Sequence, residues 1–123
     1  VRRLLAFWVL GAAVLLSGPP ARAEYTVVVI ERPFHSQKLA GVVLDPNGAP
    51  VEGTRVEERD ATFGRVLGFA ISDHKGHFSI RSSEPGSNHY LSFLARGFNP
   101  LRITVSLRPL AHRELKIRLP IGG

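Results

Sequence analysis

"QKLAGVVLDPNGAPVEGTRVEERD", residues 37–60, is the stretch whose reading decides the fold. Leu39, Gly41 and Val43 recur at every second position, the period of a strand that buries one face. "DPNGAP" then stops the strand. Proline withholds a ladder donor, and Asn47 and Gly48 tolerate the left-handed backbone of a tight turn. Beyond the turn Arg55, Glu57 and Arg59 alternate against Val56, so a second strand sets charge on one side and an apolar residue on the other.

The same pattern continues in both directions. Upstream, "YTVVVIE" (25–31) is β-branched and apolar and is expected to end at Arg32-Pro33, where proline also restricts the residue before it. Downstream, "RVLGFAISD" and "GHFSIRS" are strands separated by Asp73-His74-Lys75-Gly76, and "HYLSFLA", "LRITVSL" and "ELKIRLP" complete the set. No window sustains a period of 3.6 with caps, so a helix is not expected between residues 24 and 123. Short strands with turns about every 8 to 12 residues predict an all-β chain, a Greek-key β-sandwich of about seven strands. Alternation places Val43, Val56, Phe78, Ile80, Leu91, Phe93, Ile117 and Leu119 in its core, with His89 on the same side as Leu91 and Phe93. Each buried Phe or Ile contributes roughly 1.5 to 3 kcal/mol.

The first 23 residues read differently. Arg2 and Arg3 precede an uncharged apolar run from Leu4 to Leu16, and Ser17 to Pro20 break it before Ala21-Arg22-Ala23. This is the layout of a secretory signal peptide with a small-x-small cleavage site, too short to cross a bilayer, which needs roughly 20 apolar residues. The expected divisions are 1–23 signal peptide, 24–36 first strand and lead-in, 37–119 β-sandwich and 120–123 C-terminal tail. There is no cysteine, which rules out disulfides and a lipidated cysteine. An exported domain without disulfides fits a periplasmic or secreted location in a bacterial envelope. Without Arg2, Arg3 and Arg22 the formal charge falls from +6 to +3. The densest basic group, Arg108, Arg113, Lys116 and Arg118, lies among acids and reads as a solvated strand face, so no nucleic-acid partner is expected. Nor is stable membrane insertion expected after cleavage.

Candidate chemistry concentrates in "SDHKGHFSI", residues 72–80. Ser72, Asp73 and His74 assemble a hydrolytic trio on paper, but sequence neighbours cannot form a relay in which the base is held from across space. His74 and His77 flank Gly76 and would need Asp73 with a distant His35, His89 or His112 to bind zinc or copper, which take three or four ligands. The plain reading is a turn, with no catalytic, metal or cofactor residues. An aromatic platform for sugar has only Phe63, Phe69, Tyr90 and Phe98 to draw on, because Trp8 falls in the signal segment.

Taken in order, Gly41, Val43 and Asp45, then Gly48, Pro50 and Val51, then Gly53 and Val56, then Ser72, Asp73, Gly76 and Phe78, and finally Gly97 and Phe98 resemble the carboxypeptidase regulatory-like domain of the transthyretin-like (prealbumin-like) β-sandwiches, over about residues 37–119. Tyr90 stands seven residues before Gly97 where that family more often has eight, which puts the family's inward aromatic on His89. The resemblance implies a non-catalytic module that binds or stabilises a protein or glycan partner in the cell envelope. A catalytic relative, the transthyretin-like hydrolase, ends in Tyr-Arg-Gly-Ser, whereas this chain ends "LPIGG". Intradiol dioxygenases hold iron with two tyrosines and two histidines, and here Tyr25 and Tyr90 are far apart with no His-x-His pair. An exposed sheet edge is the expected contact surface, with "YTVVVIERP" as its candidate strand.

Overall fold

Eight strands form in the computed structural model, which describes residues 26–122. The expected signal peptide at 1–23, together with Tyr25, lies outside the described residues. The strands are β1 (Val28–Ser36), β2 (Leu39–Leu44), β3 (Arg55–Arg59), β4 (Val66–Ile71), β5 (His77–Ile80), β6 (Asn88–Leu94), β7 (Leu101–Leu107) and β8 (Leu115–Arg118). They make two sheets, a five-stranded one in the order β1-β7-β6-β3-β4 and a three-stranded one in the order β5-β2-β8. The chain changes sheet between β1 and β2, β2 and β3, β4 and β5, β5 and β6, and β7 and β8, so every hydrophobic face closes on residues distant in sequence. The expected β-sandwich is thereby present.

The alternation of residues 37–60 does what its period requires. Leu39, Gly41 and Val43 are buried, and all eight expected core residues are buried with them, joined by Leu101, Ile103, Val105 and Leu115. Phe78 of the small sheet meets Phe93 of the large one edge to face, with centroids 5.5 Å apart. Gly41 allows β2 and β8 to lie side by side in parallel, since a Cβ there would overlap the Leu115 carbonyl oxygen.

The first strand differs from its expected bounds. It does not end at Arg32-Pro33 but runs on to Ser36, pairing in parallel with β7 at 28–30 and again at 34–36. Its register shifts between Ile30 and Phe34, so Pro33 falls in the break, where its missing N–H removes no ladder bond from this edge strand. At the other end the tail is tied down. Phe98 bridges Ile121, and Gly122 N–H donates to the Gly97 carbonyl at 3.0 Å.

Candidate functional site

The stretch 72–80 is a turn built by its aspartate. One Asp73 oxygen accepts from the Lys75 and His77 main-chain N–H groups, both at 2.9 Å, while Gly76 adopts φ +78°. The His77 amide bond leads the interactions that hold the Asp73 carboxyl below its ordinary value. Ser72 is buried away from His74, accepting from Thr54 N–H and donating to the Val51 carbonyl. His74 is exposed, and His77 Nε2 lies 3.9 Å from Glu114 Oε1. His35 and His112 are exposed, and His89 is enclosed in the core. Among the described residues no group of three or more His, Cys, Asp or Glu is placed to hold a metal ion.

His89 has a partner that the sequence reading did not identify. Its face follows the expected alternation, which turns it inward with 2% exposure, and Glu58 arrives from β3 with 3%. Glu58 Oε2 lies 2.7 Å from His89 Nδ1 and accepts from Ser82 Oγ at 2.8 Å, and Ser82 Oγ is also 3.3 Å from Nδ1. The other ring nitrogen, Nε2, donates to the Gly86 carbonyl at 3.1 Å. A serine, a histidine and a glutamate thus meet, but not as a hydrolytic relay. In a relay the acid holds one ring nitrogen and the nucleophile the other. Here serine and acid share Nδ1, and Nε2 is occupied by backbone. The cluster fastens the segment 82–86 to the sheet. The available signal was parity: Glu58 stands two residues after inward-facing Val56, so it had to meet an inward polar group.

The three-stranded sheet covers one face of the large sheet, and the other faces outward. Cross-strand register places Phe69, Glu57, Ser92, Arg102 and Val29 in one row across it, flanked by Ile71, Arg55 and Leu94 on one side and Val66, Arg59, Tyr90 and Thr104 on the other. Glu57 is only 5% exposed despite facing outward. Arg55 and Arg59 close over it, each with a contact of 2.6 Å. Burial raises the Glu57 carboxyl, and the hydrogen bonds and charges of the two arginines outweigh that, leaving it below the ordinary carboxylate range. Arg55 also lies over the Phe69 ring, 3.9 Å from its centroid.

The loop 60–65 extends this network. Asp60 accepts from Thr62 Oγ1 and from the N–H groups of Thr62, Gly64 and Arg65. These bonds, the Thr62 hydroxyl first, lower its carboxyl to about 2. The loop sets Phe63 at φ 58°, unusual for a side chain of that size, and turns its ring onto Tyr90 at 5.7 Å and 77°. Arg102 lies over Phe63, and Arg59 donates to the Phe63 and Gly64 carbonyls. Phe69, Arg55, Glu57, Arg59, Phe63, Tyr90 and Arg102 therefore form one continuous aromatic and arginine network. Of the four aromatics singled out from sequence, Phe63, Phe69 and Tyr90 come together on this face. Phe98 is packed against the core elsewhere. Phe69, Ile71 and Val29 remain more than half exposed.

The model of the carboxypeptidase regulatory-like domain family matches residues 38–120. No curated protein matches the chain. Among solved structures, 3-chlorocatechol 1,2-dioxygenase from Rhodococcus opacus 1CP is similar at 14% identity, with 86% of this chain and 70% of that chain covered and a TM-score of 0.44.

Proposed function

The chain belongs to the carboxypeptidase regulatory-like domain family, and on that premise we propose that it is a non-catalytic, exported β-sandwich that binds a protein partner in the bacterial cell envelope. The observation that carries this reading is the outward face of the five-stranded sheet. It combines arginine and aromatic side chains, the types enriched where binding energy concentrates, with exposed apolar neighbours. The network also fixes Arg55 and Arg59 through Glu57, so less side-chain entropy is lost when a partner docks. The layout of residues 1–23 supports export to the periplasm or beyond. The Ser82–Glu58–His89 arrangement supports a non-catalytic role, because Nε2 is occupied by a main-chain carbonyl.

A protein fits this face better than a glycan. Sugar rings stack on flat, parallel aromatic surfaces, and the Phe63 and Tyr90 rings stand at 77° to one another. The test is capture of envelope proteins on the immobilised chain, run in parallel with Arg102→Glu and with a control, His77→Ala, on the other sheet. One protein enriched by the wild type and the control, and lost with Arg102→Glu, is the expected result. Equal capture by all three, or no enrichment by any, would overturn the reading.

A further inference from the structure

The sandwich has four edge strands, β1 and β4 in the large sheet and β5 and β8 in the small one. Unpaired edges invite foreign strands unless charge, proline, irregularity or brevity guards them. Three of these edges are guarded. β1 carries Glu31, Arg32 and Pro33 at its register break, β8 has four residues including Lys116 and Arg118, and β5 has four residues followed by Arg81. The remaining edge, β4, reads Val66-Leu67-Gly68-Phe69-Ala70-Ile71, six residues with no charge and no proline, regular after a register shift near Leu67. The edge expected from sequence to make contact, β1, is thus the better protected of the two in its sheet.

The free edge of β4 is also oriented for pairing. Ser72 N–H donates to the Thr54 carbonyl at 2.9 Å, which sets the alternation of the β3–β4 ladder. Ala70 and Gly68 bond to β3, so Phe69 and Ile71 turn their N–H and C=O groups outward. Among the described residues neither takes part in a turn or loop bond. The same two residues carry the exposed apolar side chains, at 55% and 52%.

We propose that β4 pairs with β4 of a second copy of this chain, antiparallel about a two-fold axis at Phe69, to give a continuous ten-stranded sheet. The flanking charges favour this occupant and an antiparallel sense. Arg65 precedes the strand and Asp73 follows it, so antiparallel pairing brings the Arg65 end of each copy to the Asp73 end of the other. Asp73 uses Oδ1 for its own turn, leaving Oδ2 for this contact. Phe69 would face its equivalent as a cross-strand aromatic pair, and Ile71 would lie beside Leu67. The proposal is independent of the envelope-partner reading, since its test needs only the purified chain.

Cysteine cross-linking reads both the contact and its register. The chain has no cysteine, so one introduced thiol gives an unambiguous product. A hydrogen-bonded antiparallel pair separates its Cα atoms by about 5.5 Å, within the roughly 4.4 to 6.8 Å that a disulfide spans. In this register residue 71 is about 14 Å from its equivalent, four residues along at ~3.4 Å each. Protein purified from cells expressing the full chain with Phe69→Cys is expected to form disulfide dimers under mild oxidation far faster than Ile71→Cys. Sedimentation equilibrium should show dimerisation of the wild type weakened by roughly tenfold or more, about 1.4 kcal/mol, in Phe69→Lys. Cross-linking that is absent, equal at the two positions or faster at 71 would overturn the proposal. So would a wild type that stays monomeric over its soluble range, or a dimer indifferent to Phe69→Lys.

Discussion

Glu58→Ala is expected to cost far more than Glu57→Ala, although both carboxylates are almost fully buried. Truncating Glu58 leaves His89, 2% exposed, without the acceptor at 2.7 Å from Nδ1, and leaves Ser82 Oγ without the oxygen it donates to. His89 is not free to turn to solvent, because Nε2 already holds it to Gly86, whereas Ser82 is only half-buried. Removing one member of a buried pair costs about 3 to 5 kcal/mol, a fifth or more of the roughly 5 to 15 kcal/mol that holds a small domain folded. Glu57 differs in its partners. The Arg55 and Arg59 side chains are 41% and 22% exposed, so their guanidinium groups can reach water once the carboxylate is gone. The loss there is expected to stay near 1 kcal/mol.

Urea unfolding measures the difference. With a slope of ~1.5 kcal/mol per molar, Glu58→Ala should lower the midpoint by about 2 to 3 M and Glu57→Ala by less than about 1 M. The double replacement Glu58→Met with His89→Leu should be milder than Glu58→Ala alone. It removes both members of the pair; the Gly86 carbonyl loses its donor and Ser82 Oγ its acceptor, but Gly86 is exposed and Ser82 half-buried, so the loss stays at about 1 to 3 kcal/mol. If Glu58→Ala shifted the midpoint no more than Glu57→Ala, or if the double replacement were the worst of the three, the account of this cluster as a structural clasp would be wrong.

Two other consequences can be checked directly. Gly41→Ala drives a Cβ into the backbone of Leu115 and should cost about 3 kcal/mol or more, lowering the melting temperature by roughly 12 °C or more, whereas Gly53→Ala meets open space and should bear only the strain of φ +81°. Asp60 should titrate near 2 by NMR. Its folded value lies below the unfolded one of about 3.9, so its stabilisation is present above that value and fades as pH falls toward 2. Asp60→Asn should flatten this part of the acid limb, and titration of Asp60 near 4 would show that the loop bonds do not hold its carboxylate.

What the sequence made legible follows from the range of each interaction. A period of two is local, so the core residues and even the inward turn of His89 could be read from a few neighbours. The three aspartate-led turns are local as well. Asp45, Asp60 and Asp73 each accept main-chain N–H groups from residues two and four positions on, the same cradle used three times. Pairing between distant strands is of another kind. Glu58 finds His89 across 31 positions, and parity says only that each must be satisfied, not by which partner. Glu57 shows the limit from the other side. Alternation places it correctly on the outward face, yet Arg55 and Arg59, its neighbours at two positions either way, enclose it. Burial there is made by the side chains themselves and not by a second sheet. The same holds for Phe63, a loop residue whose ring gains its place only because four bonds to Asp60 force the backbone to φ 58° above Tyr90. The aromatic and arginine face is therefore assembled from a strand and a loop whose separate patterns are ordinary. It could not be recognised until the order β7-β6-β3-β4 set Arg102, Tyr90, Arg59 and Phe69 on adjacent strands.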